Sequence, residues 1–151
     1  MKGLRVAVFC LVTVLFFAMA GAAYAAAIPP PPPDNSGSFS GAGIESLLYL
    51  RDWGCAINSA GNGSIVISGY TNANQNVTYI MVRLYLQRWD GSNWADLGSW
   101  PFEKYSASSV SGTKSLQVLS GYYYRTRANH ALTQNGYNES AQSYSTSKYI
   151  P

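Results

Sequence analysis

The sequence predicts an all-β protein, an immunoglobulin-like antiparallel sandwich of about seven strands, with a small β-barrel as the alternative. Three observations lead to this prediction. Charged residues make up 11% of the chain, against about 25% in an average soluble protein, while 14% of the residues are aromatic. Turn-forming residues recur after residue 44, and no stretch there keeps a helical period.

The first 25 residues are predicted to be a secretory signal peptide. Lys2 and Arg5 give the positive start, Val6 to Ala20 is apolar, and Ala23 to Ala25 fits the small-residue cleavage pattern. A second frame allows cleavage as late as Ala27. The apolar run of about 15 residues is shorter than the roughly 20 that a membrane span needs. We therefore expect a secreted, extracellular or surface-associated protein with no membrane span after cleavage.

Removal of this segment changes the charge and the cysteine count. The formal net charge of +3 loses Lys2 and Arg5 and becomes +1, which gives no electrostatic reason to expect nucleic acid as a partner. Cys10 leaves as well, so Cys55 has no cysteine for an intramolecular disulfide. We expect Cys55 to be a small buried hydrophobe, with an intermolecular disulfide as the alternative.

Residues 26–45 are predicted to be a linker, and residues 46–151 are assigned to the β domain. Pro29 to Pro33 favour polyproline II, which makes a stiff and extended spacer. The Gly- and Ser-rich stretch that follows is expected to be flexible. A proline-rich segment can also be the ligand of a proline-binding module, so both roles remain open.

The strands of the β domain are predicted from alternating apolar and polar residues separated by turns. In chain order they are 47–58, 65–67, 78–89, 94–105, 114–119, 122–132 and 140–150. The turns are expected at 59–63, 72–76, 90–93, 106–112, 120–121 and 134–138. Asp90-Gly91 and Asn135-Gly136 are the clearest hairpin signals. The predicted core comprises Ile65, Ile67, Ile80, Val82, Leu84, Leu86, Leu116, Val118, Tyr122 and Tyr124.

Part of the sequence resembles a fibronectin type III domain. Residues 121–128 are similar to its sixth strand, with a Tyr-x-x-Arg-x-x-Ala pattern from Tyr122 to Ala128. The run from about Leu50 to Ile150 also resembles a family of small secreted bacterial proteins of unknown function. This resemblance implies an immunoglobulin-like or fibronectin type III-like sandwich and implies no activity. The chain lacks an Arg-Gly-Asp loop, so integrin-type recognition is not implied.

The residues that carry chemistry do not gather into a recognisable catalytic motif. His130 is the only histidine, and we expect a hydrogen-bonded histidine near a strand end rather than part of a triad. One histidine with dispersed carboxylates does not make a zinc site, and Asp90, Asn93 and Asp96 are typical of a turn more than of a calcium site. The acids available for glycoside hydrolysis are Asp52, Asp90, Asp96, Glu103 and Glu139. We expect no cofactor, no metal and no enzymatic activity.

The remaining candidate is a surface, which forms if strands 78–89 and 122–132 are neighbours. We call its outward residues the tyrosine–arginine face: Tyr79, Arg83, Tyr85, Gln87, Trp89, Tyr123, Arg125, Arg127 and Asn129. The predicted binding residues are Arg83, Tyr85, Trp89, Tyr123, Arg125 and Arg127. Rigid aromatic and arginine side chains suit contact with a ligand, although the same pairs also stabilise a sheet without one.

The function expected from this surface is non-enzymatic binding, with a cell-surface protein or a polysaccharide as the partner. One alternative is a structural protein that self-associates by strand addition along Ser140 to Tyr149, where Lys148 is the only charge. A second alternative is a small secreted carbohydrate-active protein.

Overall fold

The computed structural model describes residues 30–33 and 47–151. The predicted signal peptide and most of the predicted linker therefore lie outside the described residues. Within the described part no helix is long and apolar enough to cross a membrane. Six antiparallel strands follow one another in the chain: β1 Leu50–Gly61, β2 Ser64–Trp89, β3 Trp94–Gln117, β4 Tyr122–Gln134, β5 Tyr137–Tyr144 and β6 Lys148–Ile150.

The six strands form one sheet that curls into a half-barrel. Its path runs β1-β2-β4-β5, while β3 pairs with β2 and β6 pairs with β4. β2 organises the sheet because its first part, from Ser64 to Ala73, pairs with β1 and its last part, from Tyr79 to Arg88, pairs with β4. A strand that serves different neighbours at its two ends bends the sheet around the core.

The all-β class and the antiparallel pairing are confirmed, but a seven-stranded sandwich is not. Two predicted turns, 72–76 and 106–112, lie inside β2 and β3, so four predicted strands become two long ones. Asn72 pairs with Ser109 and Val77 pairs with Ala107, so one strand carries three more residues than the other between these pairs. Such a bulge leaves the extra residues of β2 without a partner on β3 and bends the strand, while pairing resumes on either side of it.

The core lies on the inward side of the curled sheet. Predicted core residues that are buried are Ile65, Ile67, Ile80, Val82, Leu84, Leu86 and Tyr124. Leu116, Val118 and Tyr122 are only partly buried against this core. For Leu116 the reason is its place near the end of β3, which pairs with β2 alone among the described strands.

Two glycines allow the bent strands to pack closely. Gly69 and Gly112 are paired across β2 and β3. A Cβ added to Gly69 would lie 2.6 Å from a methyl carbon of Leu84, and one added to Gly112 would overlap the ring of Phe102. A larger residue at either position therefore requires the packing to move.

The predicted hairpins at Asp90 and at Asn135-Gly136 are present, and each has a local cause. The carboxylate of Asp90 accepts hydrogen bonds from the backbone N–H groups of Ser92 and Asn93 at 2.8 and 2.7 Å. Asn135 and Gly136 have φ angles of 50° and 81°, the left-handed pair that a tight hairpin requires. The first hairpin places Trp94 directly across from Trp89, at one end of the tyrosine–arginine face.

Candidate functional site

The structure brings together the two strands on which the tyrosine–arginine face depends. β2 and β4 are neighbours, and their register pairs Arg83 with Asn129, Tyr85 with Arg127 and Gln87 with Arg125. β3 lies on the other side of β2, and β5 lies on the other side of β4. The face therefore spans four strands rather than the two from which it was predicted.

A hydrogen-bonded network crosses the middle of this face. Arg127 and Asp96 form an ion pair with Nη2 2.8 Å from Oδ2. Gln87 Nε2 donates to the other oxygen of Asp96 at 2.7 Å, and Arg125 Nε donates to Gln87 Oε1 at 2.7 Å. Each of these side chains is fixed by another one, so the network holds the arginines in one orientation.

Aromatic rings also lie against the same two arginines. The guanidinium carbon of Arg125 lies 4.3 Å from the ring centroid of Trp94 and 4.6 Å from that of Tyr144. The guanidinium carbon of Arg127 lies 3.9 Å from the ring centroid of Tyr85. Such contacts contribute about 0.5–1 kcal/mol each at exposed sites. Burial lowers the pKa of Arg125 from its ordinary value.

Three polar atoms at the face are buried and have no hydrogen-bond partner among the described residues. They are Trp94 Nε1, Arg127 Nε and Asn129 Oδ1. Two of them are donors and one is an acceptor. A buried polar atom without a partner costs roughly 1–3 kcal/mol, so native proteins seldom leave one unfilled. The face therefore has hydrogen-bonding capacity that the described part of the chain does not use.

The six predicted binding residues occupy different environments. Arg83 is exposed, and Tyr85, Tyr123, Arg125 and Arg127 are half-buried. The ring of Tyr123 packs against that of Tyr149 at an angle of 52°, with ring centroids 5.0 Å apart. Trp89 lies at the face but is covered, because its side chain is 7% exposed and its indole N–H donates to the carbonyl of Pro30 at 3.0 Å.

The sequence did not identify three residues that complete the site: Trp94, Asp96 and Tyr144. A signal for the first two was present in the hairpin at 90–93, because counting outward from it pairs Trp89 with Trp94 and Gln87 with Asp96. Tyr144 had no such signal. It comes opposite Arg127 only because β5 pairs with β4.

His130 lies in the core, where both ring nitrogens bind hydroxyl groups. Nδ1 is 2.8 Å from Thr71 Oγ1, and Nε2 is 2.8 Å from Ser143 Oγ. Since Thr71 donates its only proton to the carbonyl of Met81 at 3.0 Å, the pattern assigns the imidazole proton to Nδ1. Nε2 then accepts from Ser143. Burial lowers the pKa of His130 to about 4, which makes this ring a neutral link between two hydroxyls at pH 7.

Cys55 lies near the same hydroxyl cluster and is half-buried. Its thiol is 3.5 Å from the carbonyl oxygen of Thr126, the acceptor of this contact. Burial raises the pKa of the Cys55 thiol, which disfavours the reactive thiolate. The side chain packs against the core as a small hydrophobe would. Linkage of two chains through Cys55 stays a prediction.

Each carboxylate considered for glycoside hydrolysis accepts hydrogen bonds from other groups of the chain. Asp52 accepts from the hydroxyl of Tyr70 at 3.3 Å, Glu103 accepts from that of Tyr79 at 2.8 Å, and Glu139 accepts from the backbone N–H groups of residues 48–50 at 2.7–3.1 Å. The Glu139 contacts fasten the start of β1 to β5. These acids thus take part in strand pairing and in the ends of the sheet.

The candidate calcium ligands are also engaged. The backbone N–H groups of Asn93 and Ser92 lower the pKa of Asp90, whose carboxylate closes its own turn. Both oxygens of Asp96 bind other side chains of the face. Among the described residues no group of three or more His, Cys, Asp or Glu side chains is placed to hold a metal ion.

Comparisons with protein-family models and with curated proteins identify no relative of the chain. No protein-family model matches the chain, and no curated protein is similar to it in sequence. What the chain does must therefore be inferred from the geometry of the tyrosine–arginine face and the residues around it.

Proposed function

We propose that this chain is a secreted, non-enzymatic binding module. Its tyrosine–arginine face holds a polysaccharide or a protein of a cell surface. The observation that carries the proposal is the set of unused polar atoms at the face: Trp94 Nε1, Arg127 Nε and Asn129 Oδ1. Each atom is buried but belongs to a side chain that is partly exposed, so a ligand with hydroxyl or amide groups reaches it after a small movement of that side chain and supplies the acceptor or donor that it needs.

The rigidity of the face supports the same proposal. Two rings lie against Arg125, and Asp96 and Tyr85 hold Arg127. A surface that is already ordered loses little conformational entropy when it binds, and this favours affinity. Tyr85 and Tyr123 add half-buried aromatic area on the same strands, which suits stacking on a sugar ring or a peptide.

Catalysis is not part of the proposal. The only histidine faces the core and is fully buried, and its imidazole links two hydroxyls. The acids named above hold structural partners rather than meeting in one place. Binding by stacking and hydrogen bonds needs none of these groups.

A glycan array and a pull-down from cell-wall extract test the proposal with one pair of matched variants. Asn129→Leu removes the unused acceptor at nearly constant size, and Asn58→Leu makes the same change at an exposed position on β1. We expect Asn129→Leu to weaken binding of the captured glycan or protein at least tenfold and Asn58→Leu to leave it unchanged. Equal binding by both variants, or hydrolysis of the captured glycan, contradicts the proposal.

The long edge strand β3 favours a second candidate function, self-association into a surface layer or matrix. Its 24 residues pair with β2 alone among the described strands, so one side of its backbone is open to another strand. Pro101 and the charges of Glu103 and Lys104 oppose such pairing near the middle. Sedimentation over a range of concentrations separates this candidate from a monomeric binding module.

We also propose that the curled sheet is a β-sandwich related to the fibronectin type III-like family. Contacts between β1 and β4 support it, since Thr126 Oγ1 donates to the carbonyl of Ala56 at 3.0 Å across the curled sheet. β1 and β4, which both pair with β2, therefore also face each other across the core as two layers do. An experimental structure in which β2 and β3 each divide between two sheets would establish the relation.

A further inference from the structure

A short proline segment lies against the tyrosine–arginine face. Residues 30–33 are all proline, and the carbonyl of Pro30 accepts a hydrogen bond from Trp89 Nε1 at 3.0 Å. Pro32 is buried, whereas Pro31 and Pro33 are exposed. Polyproline II has three residues per turn, so a segment resting on one edge buries about every third side chain. The burial pattern is that of a polyproline II segment seated on a surface.

The chemistry of Trp89 and Trp94 suits such a segment. A run of prolines has no N–H to donate, and its carbonyls make no internal hydrogen bonds, so they accept from an outside donor. Trp89 supplies a donor beside an apolar ring, and the ring of Trp94 packs against it at an angle of 53° with ring centroids 5.4 Å apart. Trp94 Nε1 is a second indole donor with no partner among the described residues. Two adjacent indoles thus offer two donors and one apolar surface.

The geometry points to a polyproline-binding site at Trp89 and Trp94. The chain's own proline segment is the resident ligand of this site. A proline-rich segment of another protein is the ligand that displaces it. This inference rests on the proposed function, because Trp89 belongs to the tyrosine–arginine face. It names the ligand class for one end of that face. The resident segment also blocks this end of the face to other ligands until it leaves.

The chain is long enough for the segment to reach this site. Residues 34–46 separate Pro33 from Leu47 and span at most about 45 Å when extended. The start of β1 is fastened to Glu139, which pairs with Leu132, while the Trp89 end of the sheet lies next to Tyr124. Those two positions on β4 are about 27 Å apart at the usual rise of a strand.

A tethered ligand competes strongly with a free one. A segment tethered through a short linker acts at an effective concentration of about a millimolar, so a free peptide must outcompete the resident segment. Weakening the resident segment therefore increases the affinity for a peptide in trans. An accidental contact at Trp89 would show no such exchange.

Anisotropy of a labelled Ile-Pro-Pro-Pro-Pro-Pro peptide, the sequence of residues 28–33, tests the inference on the full chain. Pro32→Ser removes the buried ring, and Pro31→Ser is the matched control at an exposed position. We expect Pro32→Ser to bind the peptide at least tenfold more tightly than the unaltered chain does, and Pro31→Ser to change binding less than threefold. Equal affinity of the two variants overturns the inference.

A second measurement does not depend on peptide affinity. The indole N–H resonance of Trp89 should shift in Pro32→Ser and stay in place in Pro31→Ser, because only the first change releases the Pro30 carbonyl. Adding Trp89→Phe to Pro32→Ser keeps a ring but removes the donor, and peptide affinity should fall at least tenfold. An unshifted indole resonance in Pro32→Ser overturns the inference whether or not the Trp89→Phe variant folds.

Asn129→Leu separates this inference from the proposed function. Asn129 pairs with Arg83 across the face, away from the pair of tryptophans. If Asn129→Leu loses glycan or protein binding and keeps peptide binding, both proposals stand. If no glycan or protein is captured but the peptide binds as expected, the proposed function fails and the polyproline site stands.

Discussion

Acidification should destabilise the fold through His130 alone before the carboxylates begin to titrate. The ring is fully buried, its Nε2 accepts from Ser143, and its Nδ1 bonds Thr71. A proton on Nε2 would reverse the bond to Ser143, whose hydroxyl oxygen would then accept, and would place a charge in the core. The pKa of His130 is about 4 in the folded protein, against 6.5 as its ordinary value.

The sign and size of the effect follow from this difference. Above pH 6.5 the imidazole is neutral in both the folded and the unfolded chain, so its contribution to stability is complete. As the pH falls from 6.5 towards 4, only the unfolded chain takes up the proton, and stability is lost. The whole pKa difference corresponds to about 3 kcal/mol, of which about 2 kcal/mol is lost by pH 5. That is a large part of the 5–15 kcal/mol typical of a domain.

Urea unfolding at pH 7.5 and 5.0 measures this loss, with His130→Gln as the control that cannot take up a proton. We expect the unaltered protein to lose about 2 kcal/mol more than His130→Gln does between these pH values. The chain has one histidine, so an NMR titration of its imidazole gives the folded pKa without assignment. An imidazole that titrates near 6.5 in the folded protein would refute the reasoning, even if His130→Gln does not fold.

Three further predictions concern packing and reactivity. Leu84→Ala should lower the free energy of unfolding by about 2–5 kcal/mol in urea, because Leu84 is fully buried; a loss below about 1 kcal/mol would mean that the inward face is misassigned. Gly112→Ala should cost about 1–3 kcal/mol because its Cβ meets the ring of Phe102, and Phe102→Leu should recover part of this loss. Cys55 should react with a thiol reagent far more slowly in native protein than in urea, since its thiol is partly buried and its pKa is raised.

The parts of the fold that the sequence predicted are those with a local cause. Alternation along 78–89 placed Ile80, Val82 and Leu84 on the inward face, since successive side chains of a strand point to opposite sides. The turn predicted at 72–76 was wrong for a physical reason. Asn favours turns, and here the bulge gives the asparagines of this stretch an irregular backbone without ending the strand.

The candidate site depended more on contacts between distant segments. Arg125 and Arg127 were predicted because the alternation along residues 122–132 places both side chains on the outward side of β4. The ring of Tyr144 and the proline segment above Trp89 come from elsewhere in the chain, and Pro30 is 59 residues from Trp89. The residue pattern of a single strand does not indicate a contact with a residue so far away in the sequence. The burial of Trp89 was therefore not predictable from its neighbours.

Asn129 gives a prediction that separates recognition from stability. If the face served the sheet alone, each polar atom at half-buried Asn129 would have a partner, because an unpaired one costs roughly 1–3 kcal/mol. The cation–π contacts at the face contribute only about 0.5–1 kcal/mol each, too little to account for keeping unpaired atoms. We therefore expect Asn129→Leu to raise the free energy of unfolding by about 1 kcal/mol while it weakens ligand binding, and urea unfolding beside the binding assay measures both. A loss of stability above about 1 kcal/mol would mean that Asn129 Oδ1 is satisfied within the protein and that the face needs no ligand.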